Sequence, residues 1–70
     1  MTEDTKVIKQ AIQSLWKHNA HHTEMTYTIR MSLRILNEAL DASEFMPEQD
    51  FATQYRNAIR MANQLIEKEQ

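Results

Sequence analysis

Apolar residues recur along the first forty or so residues with the spacing of an α-helix. Alternating steps of four and three residues, taken from position 8 to position 40, meet one series that is apolar at both ends and polar in the middle. We call this series the heptad ladder; its members are Ile8, Ile12, Leu15, Asn19, His22, Thr26, Ile29, Leu33, Leu36 and Leu40. A repeat of this kind predicts helix with one face directed at a neighbouring helix.

Two interpretations of this stretch remain open. In the first, one continuous helix runs from about residue 3 to residue 42, because neither glycine nor proline interrupts it and the ladder keeps its phase throughout. In the second, the helix breaks near residues 19–23, where several poor helix formers follow one another, and the chain forms a three-helix bundle. We expect the continuous helix, since a loop rarely preserves the phase, although its length is unusual for a globular protein.

The rest of the chain predicts a second helix that folds back on the first. Residues 41–46 form the expected connector, and Pro47 suits the first turn of a helix that continues to about residue 68. The apolar stripe of this helix consists of Phe51, Tyr55, Ala58, Ile59, Ala62, Leu65 and Ile66. We expect Phe45, Met46 and Phe51 to close the hairpin over the helix ends.

The composition supports an all-α fold. The chain has 70 residues with no glycine, one proline and no cysteine, whereas the tight turns of a sheet protein call for glycine. Residues 1–70 are therefore predicted to form one helical domain, a long helical hairpin or its three-helix variant. A core of this size without disulfides supplies only ~3–5 kcal/mol of net stability. We therefore expect self-association, most simply as a homodimer, into a larger helical bundle.

The polar middle of the ladder predicts where such a dimer forms. Polar residues at core positions fix the register and the oligomeric state of helical bundles. Asn19, His22 and Thr26 would then form a polar layer where the long helices of an antiparallel dimer cross. The alternative is that these three residues are simply exposed.

A second stripe on the first helix is rotated from the ladder and predicts a binding surface. It contains Ile12, Trp16, Ala20, Thr23, Tyr27 and Met31. Trp and Tyr are common anchors of protein interfaces, and Met is common on adaptable binding surfaces. We expect Trp16, Tyr27 and Met31 to contact a partner protein, with Arg30 and Arg34 at the rim, unless the stripe merely widens the core face.

Two arginine pairs leave a different function open. Arg30 and Arg34, like Arg56 and Arg60, are spaced four residues apart, and a hairpin that folds back near residue 46 brings both pairs to one height. Such a patch binds phosphate groups, so a nucleic-acid-binding hairpin dimer is the alternative function. The formal net charge of −2 argues against it.

Catalysis, cofactors and metals are not expected. A chain without glycine has no glycine-rich phosphate loop, and one without cysteine has no thiol nucleophile. His18, His21 and His22 share a helix face, but no well-placed carboxylate completes a metal site. No apolar run reaches the roughly 20 residues of a membrane span. The sequence thus predicts a non-enzymatic, cytoplasmic regulator or adaptor that binds another protein.

Overall fold

Four helices account for most of the chain in the computed structural model, which describes residues 3–19 and 27–69. They are α1 (Glu3–Asn19), α2 (Tyr27–Ser43), α3 (Glu48–Gln54) and α4 (Arg56–Glu69). Neither of the described ranges contains a strand. The predicted all-α fold and its bundle packing are confirmed.

Charged residues at both ends of α1 stabilise its helical conformation. Glu3 and Asp4 lie in its first turn, and Lys17 and His18 lie in its last. Acids are stabilised near the partially positive start of a helix and bases near its partially negative end. Lys68 occupies the corresponding last turn of α4.

Helices α1 and α2 lie side by side, and α1 also packs along α4. Two segments of one straight helix cannot contact each other in this way, so the continuous helix expected over residues 3–42 is wrong. The chain instead forms separate helices, the first of which ends at Asn19. Both helices still direct their ladder residues inward, and Ile8, Leu15, Leu33 and Leu36 are all buried.

The single helix predicted over residues 47–68 is divided at Tyr55. Its backbone angles, φ −111° and ψ 29°, leave the helical region between α3 and α4. Hydrogen bonds still cross the junction, because the Tyr55 amide donates to the Phe51 carbonyl at 2.9 Å and the Ile59 amide donates to the Tyr55 carbonyl at 3.0 Å. Pro47 occupies the position immediately before α3. Helices α3 and α4 therefore form one bent arm.

The relative directions of the helices follow from which of their ends lie next to each other. Residues near the end of α1 border a groove with Leu65 and Lys68 of α4, whereas Asp4, near the start of α1, borders a groove with Pro47 and Ala52. Helix α1 and the α3–α4 arm are therefore parallel. Since α2 ends where α3 begins, α2 runs in the opposite direction. The result is an up-down-up bundle of 38 × 23 × 17 Å.

The core of this bundle is small and rich in alanine. Its buried hydrophobic members are Ile8, Ala11, Leu15, Leu33, Leu36, Ala39, Phe51, Ala58 and Ala62. Alanine lets helix axes approach closely but buries little apolar area. The largest fully buried side chain in the core is that of Phe51. Phe45 does not cover the helix ends as expected: it is 84 % exposed.

Candidate functional site

Two large aromatic side chains are exposed at one end of the bundle. Trp16, in the last turn of α1, is 52 % exposed, and Tyr27, the first residue of α2, is 77 % exposed. Because α1 and α2 are antiparallel, the end of one lies beside the start of the other. We use the name aromatic end for the five residues predicted to contact a partner; they are Trp16, Tyr27, Met31, Arg30 and Arg34, the last of which lies near the middle of α2.

The other three predicted contact residues follow Tyr27 along α2. Met31, one turn on, is partly buried, while Arg30 and Arg34 are exposed. The Arg34 Nε donates to the Glu38 carboxylate at 3.3 Å, and both side chains remain largely exposed. An ion pair in this setting contributes little stability. Arg34 is thus accessible, but Glu38 already offsets part of its charge.

The predicted polar layer lies mostly outside the described residues. His22 and Thr26 belong to the segment 20–26, and Asn19 is described only as the last residue of α1. The reason for expecting long helices to cross at this layer no longer holds, because α1 and α2 pack against each other within one chain.

A groove between α1 and α4 opens at the same end of the bundle as Trp16. It has a volume of about 590 Å³ and is lined by Ser14, Leu15, Lys17, His18, Leu65 and Lys68. Leu15 and Leu65 supply apolar surface, while Lys17 and Lys68 supply positive charge. No sequence pattern predicts this groove, because residues 15 and 65 are brought together only by the parallel packing of α1 and α4. We call it the basic groove.

A second groove lies at the opposite end of the same helix boundary. It has a volume of about 570 Å³ and is lined by Asp4, Pro47, Glu48, Gln49 and Ala52. Further exposed carboxylates surround this end of the bundle, namely Glu3, Asp41, Glu44 and Asp50. We call it the acidic groove. The boundary of α1 with the α3–α4 arm is therefore acidic at one end and basic at the other.

The remaining candidate chemistry is dispersed. Arg56 and Arg60 are exposed on α4, as is His18 on α1. Within residues 3–19 and 27–69, no three His, Asp or Glu side chains are grouped so that they could hold a metal ion. His21 and His22 fall outside those ranges. None of the described helices is long and apolar enough to span a membrane.

The fold is a small helical bundle with two exposed aromatic side chains near one end and opposite charges at its two ends. No protein-family model matches the chain, and neither a curated protein nor a solved structure matches it.

Proposed function

We propose that this protein is a small, non-enzymatic regulator or adaptor that binds another protein through its aromatic end. The observation that carries the proposal is the exposure of Trp16 and Tyr27 together, at 52 % and 77 %, where α1 ends and α2 begins. Self-association and a cytoplasmic location belong to the same proposal. The small core and the absence of cysteine support self-association.

The aromatic end has the chemistry of a protein-binding surface. Trp and Tyr are enriched among the few residues that dominate binding energy, because each buries a large, rigid surface and offers one polar group. Met31 adds a flexible apolar side chain. Arg30 and Arg34 would act as rim charges, which mainly affect the association rate and its salt dependence.

Capture of binding partners from the native cell, followed by mass spectrometry, tests the proposal when it is run on matched variants. Trp16→Ala and Tyr27→Ala should each weaken capture by about thirtyfold or more, the equivalent of ~2 kcal/mol. Phe45→Ala is the control, because Phe45 is equally aromatic and more exposed but lies at the opposite end. Circular dichroism should show unchanged helicity in all three variants. Equal loss with Phe45→Ala would reject the aromatic end.

Nucleic-acid binding is the second candidate, favoured by the exposure of both arginine pairs on α2 and α4. Binding through phosphate contacts would fall steeply with salt, because each neutralised phosphate releases a counterion. It would also require Arg30, Arg34, Arg56 and Arg60 together, and Trp16→Ala would leave it nearly intact. An RNA- and DNA-binding titration at two salt concentrations therefore separates the two functions.

A further inference from the structure

The boundary between α1 and the α3–α4 arm carries a row of uncharged residues between its two grooves. Val7 of α1 and Met61 of α4 are partly buried, Gln10 is exposed, and Ser14 lies at the edge of the basic groove. At the helical repeat of 100° per residue, residues 7, 10 and 14 lie within roughly 60° of one another on one side of α1. Lys9 is rotated out of this row by roughly 130°, whereas Lys6 lies within roughly 20° of Lys17 around the helix. The described lining residues of both grooves come from α1, α3 and α4 and from Pro47, without a contribution from α2.

The charges at the two ends of this row are opposite. Lys17 and Lys68 border the basic groove, and Asp4 and Glu48 border the acidic groove. Asp4 and Lys17 are thirteen positions apart on one helix, which places them about 20 Å from each other along the axis. Lys6 and Glu67 lie near the acidic and basic ends respectively, but neither lines a groove.

This arrangement is complementary to itself under a two-fold rotation. If two copies face each other with their α1 helices antiparallel, the basic groove of each copy meets the acidic groove of the other. The dimer therefore contains two equivalent contacts between unlike charges. Residues near the rotation axis then face their own counterparts, which is unfavourable for charged groups. The residues expected at that position, Gln10 and Met61, are uncharged.

The face is also large enough for a stable contact. It extends along the 38 Å dimension of the bundle, with the other dimensions being 23 and 17 Å. The two long sides of the bundle, 38 × 17 Å and 38 × 23 Å, have areas of about 650 and 870 Å². These values lie on either side of the ~800 Å² per partner that a standard interface buries.

We propose that a second copy of this chain docks on the α1/α3–α4 face, forming an antiparallel two-fold dimer in which Lys17 and Lys68 of each copy meet Asp4 and Glu48 of the other. This deepens the self-association in the proposed function by giving it a surface, and it leaves the aromatic end outside the contact. It also replaces the polar layer of Asn19, His22 and Thr26 as the expected site of dimerisation.

Charge-swap complementation tests the proposal. In one variant, Lys17→Glu and Lys68→Glu make both ends of the face acidic; in the other, Asp4→Lys and Glu48→Lys make both ends basic. Each variant alone should self-associate about tenfold more weakly than the natural chain or worse, because like charges then meet. An equimolar mixture should recover a complex of twice the 8.3 kDa chain mass in sedimentation velocity experiments.

Arg56→Glu with Arg60→Glu is the matched control. It changes the net charge by the same amount as the acidic variant, at exposed positions of α4 that do not line either groove. This control should dimerise like the natural chain. Equal weakening of the control and the acidic variant would overturn the proposed surface, as would a mixture of the two swapped variants that stays monomeric.

The charge-swap substitutions lie near helix ends and act against the helix dipole, so they could destabilise the fold. A salt titration of the natural chain tests the same contact without any substitution. Dimerisation should weaken as salt rises from 50 to 500 mM, because the paired charges are at the surface. A salt-independent dimer would overturn this surface while leaving self-association in place. A monomer at all concentrations would overturn both, but partner capture through Trp16 would still be tested separately. Association into larger species would indicate an open head-to-tail contact and would overturn the two-fold dimer.

Discussion

The rings of Phe51 and Tyr55 stack across the bend between α3 and α4, with their centroids 5.4 Å apart and their planes inclined by 23°. The backbone amide of Tyr55 also donates to the carbonyl of Phe51 at 2.9 Å. Phe51 is 2 % exposed, and Tyr55 is partly buried. The two residues thus join the short helix to the core on one side and to α4 on the other.

Phe51→Ala should be among the most destabilising single substitutions in the chain. It removes the largest buried side chain and the stacked pair together, and such changes typically cost 3–5 kcal/mol. In a domain of this size, that loss is comparable with the total stability. Urea unfolding followed by circular dichroism should give a largely unfolded variant, whereas Phe45→Ala, at an exposed position, should change the unfolding free energy by less than about 0.5 kcal/mol.

The leucines of α2 should differ in their contribution to stability. Leu36 is completely buried and Leu33 nearly so, whereas Leu40 is only partly buried. Leu36→Ala and Leu33→Ala should each cost roughly 2–5 kcal/mol, because each leaves a cavity. Leu40→Ala on the same helix should cost clearly less. Thermal unfolding of the three variants would contradict this ranking if Leu40→Ala had the lowest Tm.

The buried alanines predict a steric limit on the helix contacts. Ala39 of α2 is completely buried in the core. Ala39→Leu should therefore destabilise the bundle by about 1–3 kcal/mol through overpacking. Ala42→Leu is the matched control, because Ala42 lies one turn away and is only partly buried. Similar unfolding free energies for both variants would show that the helices have room to separate.

The only tryptophan makes the aromatic end directly observable. Trp16 is half exposed, so acrylamide should quench its fluorescence efficiently in the free protein. Binding of a partner protein at the aromatic end should reduce the quenching constant. Dimerisation through the α1/α3–α4 face should leave that constant unchanged between dilute and concentrated samples. A concentration-dependent loss of quenching would place Trp16 in the self-association contact instead.

The exposed ion pair between Arg34 and Glu38 should matter little for stability. Both side chains are solvated, so Arg34→Ala should change the unfolding free energy by less than about 0.5 kcal/mol. Its effect on partner capture should also be smaller than that of Trp16→Ala and should diminish further at high salt. A loss of more than about 1 kcal/mol in urea unfolding would mean that Arg34 has a structural role.

The sequence by itself determined the helical class and the core-facing positions. The heptad ladder and the absence of glycine indicated helices. The ladder also assigned residues such as Ile8, Leu15 and Leu36 to buried helix faces, because the repeat of a helix is a local property. A helix start near Pro47 also followed from local backbone geometry, although Pro47 precedes α3 instead of lying in its first turn.

Only the tertiary structure decided where the chain turns and which surfaces remain free. The ladder keeps the same phase whether α1 and α2 are continuous or fold against each other, since each helix presents its apolar face to the core in either case. The packing of α1 against α2 and α4, between residues distant in sequence, settles that choice. The same packing leaves Trp16 half exposed and brings Leu15 to Leu65. Exposure and proximity of this kind depend on the whole bundle, and no local spacing encodes them.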